Sequence, residues 1–305
     1  MSVDGDRERI RFLHDILVPS RLTRIIDVGA NPANEPPYKM LLNDGLCELW
    51  GFEPQDNAFA KLQAQKGSLE HYFPHAVADG KKHMLHVGDV GVFASILPFY
   101  VPGFTTFGLY PRALRNMKRT EIDTVRLDDL ADLPPCDLLK IDIQGGEKIV
   151  IRHGQAKLAE AVAVIPEVRF NQLYDGEPMF AGVDEELRGQ GFILHKFMFV
   201  KSATTGHSMS KYLRPRFNKS HLIDGDAVYI RDLRDDSTVS DEQLAQLIFC
   251  ADAIFQSYDL VCHCLDRLVK RGRISSDAVC RYVAMLPQKF WREGVSSDDI
   301  MGRGV

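Results

Sequence analysis

Three short apolar runs in this chain stop in the same manner, and that manner restricts the folds open to it. Arg24-Ile-Ile-Asp-Val-Gly29, Cys47 to Phe52 and Leu138 to Ile143 each read as a buried strand, and each ends in acid or glycine just ahead of a helical segment. The helices are expected over 34–43, 56–65 and 147–153, the first with prolines tolerated in its opening turn. Strand followed by helix, repeated, builds a parallel sheet covered on both faces. In such sheets ligands bind in the crevice beyond the carboxyl ends of the strands, which is where these runs deliver their charge.

The rest of the chain extends the pattern. His71 to Ala78 reads as a third strand, 79–119 is less regular, and Ala161 to Phe170 is a fifth strand in which Pro166 is expected near an end or a bulge. A helix is expected over 179–190. Phe192 to Val200 and Asp226 to Ile230 follow with no helix between them, which predicts an antiparallel hairpin at the sheet's edge. From Ser240 the chain turns helical: Ser240 with Gln243 forms a capping-box pattern, apolar residues recur at helical spacing from Leu244 to Val269, and Lys270-Arg271-Gly272 is a stop signal. Ser275 to Leu286 starts a second helix. Two parts are therefore expected, an α/β domain over 1–235 and a C-terminal helical hairpin over 236–305. The hairpin's apolar stripe has to be covered by its own domain or by a second copy of the chain, so a homodimer is one expected use.

Composition limits the partners. The net charge of −5 argues against a nucleic-acid-coating protein. Six scattered cysteines suit reduced thiols; Cys262-His263-Cys264 looks like half of a metal site, but no second pair follows at zinc spacing. Met1 to Arg11 is charged and lacks an apolar h-region, and no run is long enough to span a bilayer, so a cytoplasmic protein is expected. Lys211 to Lys219 interleaves charge with aromatics and reads as a solvated loop, with an anionic glycan or phosphate as the alternative ligand.

The chemistry concentrates at the strand ends. Asp27 and Gly29 close the first strand, and Glu53 closes the second, where a carboxylate can take both ribose hydroxyls of an adenine nucleoside. A dinucleotide fingerprint needs three glycines to admit a pyrophosphate, yet this loop continues Ala30-Asn31-Pro32-Ala33-Asn34. A nicotinamide-dependent oxidoreductase is disfavoured for that reason. An acid at the strand tip instead suits the ammonium or sulfonium of S-adenosylmethionine.

Asp27-Val-Gly-Ala-Asn31, Gly51-Phe-Glu-Pro54, Ala76-Val-Ala-Asp-Gly80, Arg126-Leu-Asp-Asp-Leu130, Leu138-Leu-Lys-Ile-Asp-Ile-Gln-Gly-Gly-Glu147, Pro166-Glu-Val-Arg-Phe170 and Asp226-Ala-Val-Tyr-Ile230 occur in the order and roughly the spacing of the FkbM-type methyltransferases. The resemblance covers about residues 20–232, and its Lys140 to Glu147 stretch is the most specific part. It implies a Rossmann-like class I methyltransferase fold with a seven-stranded, mostly parallel sheet and an antiparallel edge strand. It also implies O-methylation of hydroxyls on sugars, polyketides or similar metabolites, with S-adenosylmethionine as donor. The cofactor set implied is Asp27, Gly29, Asn31, Glu53, Asp79 and Asp142. The chain departs from the family at Pro32-Ala-Asn-Glu-Pro-Pro37, where a small residue usually tightens the loop, and in its helices after Ser240.

Methyl transfer to oxygen is an in-line displacement, in which positioning supplies much of the rate and a base taking the hydroxyl proton adds roughly 10² to 10⁴. Asp142, at the tip of the fourth strand, is the first candidate for that base. Lys140 projects on the same side of the strand, to pair with Asp142 or Glu147 or to orient the acceptor. Glu147 reads equally as a catalytic acid or as a partner of the helix dipole. Ser95 and Glu167 are candidates for the acceptor pocket, with helix capping as the alternative for Ser95. A Mg²⁺ held by Asp142, Glu147 and Glu167 is a lesser alternative that the spacing does not demand. The competing functional reading is a non-catalytic module that keeps the fold, has an altered Pro-rich loop and interacts through its C-terminal helices.

Overall fold

The computed structural model describes residues 3–33, 35–88, 93–108, 114, 116–214 and 217–302. In chain order its elements are α1 (Val3–Leu17), β1 (Thr23–Val28), α2 (Lys39–Asn43), β2 (Cys47–Phe52), α3 (Asp56–Gln65), β3 (Glu70–Phe73), β4 (Ala76–Val77), β5 (Lys82–Val87) and β6 (Ala94–Ser95). There follow α4 (Val101–Thr106), β7 (Lys118–Val125), β8 (Leu138–Ile141), α5 (Glu147–Arg152), β9 (Ala163–Arg169), α6 (Phe180–Gly189), β10 (Phe192–Ala203) and β11 (His221–Arg231). The chain closes with α7 (Asp241–Ala253), α8 (Tyr258–Lys270), α9 (Ala278–Ala284) and α10 (Ser297–Met301).

A seven-stranded sheet has the order β10-β11-β9-β8-β1-β2-β3. β8 and β9 run parallel, with Leu138 opposite Ala163, whereas β11 is antiparallel to β9 on one side and to the edge strand β10 on the other. The expected antiparallel hairpin at the edge is therefore present, and its strands run further toward the tip than the apolar runs, β10 to Ala203 and β11 from His221. Pro166 lies in mid-strand rather than at an end. It is tolerated there because its missing N–H faces β11, where the pairing lapses between Glu167 opposite Asp226 and Val164 opposite Tyr229.

Two sequence expectations give way to local chemistry. The third strand breaks at Pro74-His75, leaving β3 in the large sheet and sending β4 to a small one of order β4-β7-β5-β6. The first crossover helix shrinks to α2, since the residue before each of Pro36 and Pro37 is pushed out of the helical region; Asn34, its expected start, lies outside the described residues.

The chain divides into two compact units, Ile26–Pro32 with Trp50–Asp232, and Met1–Ile25 with Ala33–Leu49 and Leu233–Val305. The first is centred on fully buried Ile26, Leu139, Ile141, Val164, Val168 and Phe192. Each such side chain contributes about 1.5–3 kcal/mol, which fixes the register that brings the strand ends together. A second cluster, of Phe99, Phe104, Phe107, Leu173, Tyr174 and Ile223, includes residues of α4 and β11.

In the other unit α7 is buried at every position from Leu244 to Ala253, the mark of a central helix rather than an amphipathic one. Its start carries the expected capping box, Gln243 N donating to Ser240 Oγ at 3.1 Å and Ser240 N to Gln243 Oε1 at 3.0 Å. Arg9 of α1 grips Asp252 of α7 through Nε at 2.7 Å and Nη2 at 2.9 Å, and Tyr282 of α9 donates to the same carboxylate at 2.6 Å. The single helix expected from Ser240 to Lys270 is broken, because Gln256 adopts φ 50° and Ser257 N turns back to Ala251 O. Cys262 and Cys264 sit on α8, where burial pushes both thiols up to about 12, and residues two apart on a helix point to different sides. No helix among the described residues is long and apolar enough to cross a membrane.

Candidate functional site

Four backbone bonds lock the strand ends together. Gly29 N and Ala30 N both donate to Phe52 O at 3.0 Å, Glu53 N donates to Phe73 O at 3.1 Å, and Asp142 N donates to Val28 O at 3.0 Å. The turns after β1, β2 and β8 thus form one rim. Gly29 makes this approach feasible: its φ is 89°, and a Cβ there would lie 2.1 Å from Asp142 O.

Register then sets which side chains share a face. Lys140 is opposite Ile165, Glu167 opposite Asp226, and Arg169 opposite Asp224. With side chains alternating along each strand, Lys140, Glu167, Arg169, Asp224 and Asp226 line one side of the sheet. Lys140 Nζ lies 3.3 Å from Asp27 Oδ1, so its partner is Asp27 rather than Asp142 or Glu147. Burial opposes the ammonium's charge, but Asp27, Asp142 and Asp226 outweigh it and raise its pKa. Glu53 is buried and accepts from Gln55 N at 2.8 Å; burial first, then Asp27, pushes its carboxyl above the usual range.

Asp142 is exposed, and its Oδ1 accepts from Gln144 Nε2 at 3.0 Å. Gln144 is the hub of the site. Its amide nitrogen also donates to Glu167 Oε2 at 2.7 Å, and its Oε1 accepts from Arg169 Nη2 at 2.7 Å and from the Tyr174 hydroxyl at 3.0 Å. Two donated and two accepted bonds exhaust a primary amide, so Arg169 and Tyr174 determine which end of it faces Asp142. The backbone of Gln144 is left-handed, φ 60°, and its carbonyl accepts from Ser95 Oγ at 2.6 Å. Ser95 Oγ in turn accepts from Leu97 N at 3.0 Å.

Arg169 is buried among Glu167 at 2.7 Å, Asp224 at 2.9 Å and Glu177 at 3.5 Å. Burial opposes its charge but Glu167, Tyr174, Glu147 and Asp224 outweigh it and raise its pKa, while burial pushes Glu167, Glu177 and Asp226 above the usual carboxylate range. Glu147 is also buried. It accepts from Ile143 N at 3.0 Å and Gly145 N at 2.9 Å, bracing the turn that carries Gln144. Asp79 stands apart in the β4–β5 turn, 2.7 Å from His83 Nε2; partial burial opposes its charge, but His83 and Lys81 hold its carboxyl below the usual range. Asn31 is exposed, its N donating to Gly29 O at 2.8 Å. Among the described residues no group of three His, Cys, Asp or Glu has metal-holding geometry.

Burial pushes the Glu147 carboxyl up to about 7, against Arg169 and the N–H donors that pull it down. Between its ordinary value and about 7 the folded chain keeps a proton that the unfolded chain has lost, so this group makes stability fall as pH rises through that window. Glu147→Gln keeps the accepting oxygen and removes the titration. The variant is expected to unfold at higher urea than the parent at about pH 8, by on the order of 2–3 kcal/mol, with the gap closing toward about pH 5. A gap independent of pH would contradict the assignment.

Sequence reasoning singled out Asp27, Glu53, Lys140, Asp142, Glu147 and Glu167, and these converge. It passed over Gln144, Arg169, Tyr174, Glu177 and Asp226. The signals in the sequence were that Gln144, Arg169 and Asp226 stand inside the family-like stretches Leu138–Glu147, Pro166–Phe170 and Asp226–Ile230, whereas Tyr174 and Glu177 lie in none of them.

The methyltransferase FkbM domain family matches residues 27–194, which carry every one of these residues except Asp226. No curated protein sequence matches the chain. Among solved structures, a precorrin-6y C5,15-methyltransferase from Geobacter metallireducens GS-15 is similar at 13% identity, covering 74% of this chain and 88% of that one with a TM-score of 0.35. An S-adenosylmethionine-dependent methyltransferase from Mesorhizobium loti is similar at 9%, covering 71% and 95%, with a TM-score of 0.34. StiE O-MT is similar at 9%, covering 79% and 78%, with a TM-score of 0.37. These likenesses are remote, and the family match extends over more than half of the chain. The chain belongs to the FkbM methyltransferase family.

Proposed function

We propose that this protein transfers a methyl group from S-adenosylmethionine to a hydroxyl oxygen of a small-molecule or glycan acceptor. The observation that carries the reading is the meeting of buried Asp27 and Glu53 with exposed, amide-held Asp142 at the ends of three neighbouring strands. The donor set fits the methyl donor. A carboxyl raised by burial, as in Glu53, gains from hydroxyl donors such as those of a ribose, and acids at the rim suit a cationic ligand better than a pyrophosphate. Asp27, Gly29, Asn31 and Glu53 would hold it. Bound S-adenosylmethionine supplies an electrophilic methyl carbon.

The chain's own part is to bind, orient and move one proton. Asp142 would take the hydroxyl proton as the acceptor oxygen gains the methyl group the donor would supply, with an ether as product and a neutral thioether as leaving group. Lys140 balances Asp27, 3.3 Å away, where the cationic donor would lie. Gln144 fixes Asp142, and Glu147 and Ser95 hold the Gln144 turn rather than meet the acceptor. Glu167 and Asp226 face the acceptor side. Transfer of labelled methyl from S-adenosylmethionine to a panel of sugars and hydroxylated metabolites tests this, with an ether as the expected product. A folded chain that labels none of them, and labels an amine or a carbon instead, would overturn the oxygen assignment.

A further inference from the structure

The stretch Phe192 to Ile223 contains no aspartate or glutamate and six lysines and arginines, in a chain whose net charge is −5. Half of the large apolar side chains exposed among the described residues lie within it, including Phe199, Met209, Tyr212, Leu213, Phe217 and Leu222. Apolar side chains this concentrated mark an interaction surface rather than scattered surface residues. The root of the hairpin is packed. Ala203 and Ile223 join the aromatic cluster of Phe104 and Tyr174, the His221 ring lies 5.2 Å from that of Phe107, and Gly206 N donates to Thr106 O at 2.7 Å. The tip thus springs from a built base, with Lys211, Arg214 and Lys219 exposed among its apolar residues. Lys201 spends part of its charge on Asp224 at 3.2 Å, and Arg216 lies outside the described residues.

We propose that this hairpin docks the protein on an anionic phospholipid surface. Basic side chains draw such a surface, and exposed aromatic and aliphatic groups insert at its headgroup boundary. A soluble polyanion would use the charge alone and leave the apolar groups without a purpose. The pairing of Asp224 with Arg169, the last residue of β9, means that the hairpin continues past the rim that carries Asp142 and Glu167, so docking would turn that rim toward the lipid headgroups.

Cosedimentation of the full chain with vesicles of phosphatidylcholine, alone or with phosphatidylglycerol added, tests the proposal. Partition onto the anionic vesicles is expected to be stronger by about tenfold or more and to weaken as salt is raised. Lys211→Glu with Lys219→Glu should abolish it. Leu213→Ser with Phe217→Ser, which keeps the charge, should reduce it severalfold. All four sites are exposed, so both double variants should keep the parent's melting temperature and its binding of S-adenosylhomocysteine. No partition onto phosphatidylglycerol vesicles would overturn the proposal. Partition that the Leu213 and Phe217 changes leave intact would also overturn it, since charge alone would then account for the binding and nothing would favour a lipid over a soluble polyanion.

Discussion

Asp142→Asn is expected to lower kcat by about 10² to 10⁴ while the chain stays folded. The substitution is close to isosteric. An asparagine oxygen still accepts from Gln144 Nε2, and the bond from residue 142 to Val28 O belongs to the backbone, so the rim is preserved. What is lost is the capacity to take a proton. The drop amounts to about 3–5 kcal/mol of activation free energy, and it should fall on kcat with KM for the acceptor changed little. Full turnover by a folded Asp142→Asn would remove this carboxylate as the base.

Arg169→Met should be the most destabilising single change in the site. Arg169 is buried, and its removal leaves Glu167 and Glu177 facing one another without a cation, while Asp224 keeps only Lys201 at 3.2 Å. Breaking a buried pair in this way costs about 3–5 kcal/mol, compared with typical point changes near 1 kcal/mol. The sign of its pH dependence follows from the same acids. Burial already raises Glu167 and Glu177, and without the guanidinium they would hold protons more tightly still in the folded state, so the deficit should shrink as pH falls. Arg169→Lys should rescue little, because one ammonium cannot reach Gln144, Glu167 and Asp224 as the planar fork does. Urea unfolding at several pH values checks both points, and a variant as stable as the parent would contradict the picture of Arg169 as the network's central cation.

The strand tips were legible in the sequence because each acid closes an apolar run, and burial of that run fixes where the acid must emerge. Asp27, Glu53 and Asp142 needed no more than this. Gln144 was not legible, since its role depends on a left-handed backbone and on Arg169, which stands 25 residues later on a different strand. The partner of Lys140 also escaped, for spacing along one strand says which side a residue faces and not what the neighbouring strand presents there. In the fold, the small sheet was hidden because β4 and β6 are two residues long and β7 is largely exposed, so none of them shows a buried alternation. The break at Gln256 was hidden for the opposite reason: helical apolar spacing continues across it.

Calorimetric titration of S-adenosylhomocysteine into the full chain tests most directly that the rim of β1, β2 and β8 is a methyl-donor site. Saturable binding is expected, weakened about tenfold or more by Glu53→Ala, because a hydrogen bond to a charged group contributes about 1.5–3 kcal/mol. A folded chain that gives no binding heat at millimolar ligand would contradict it.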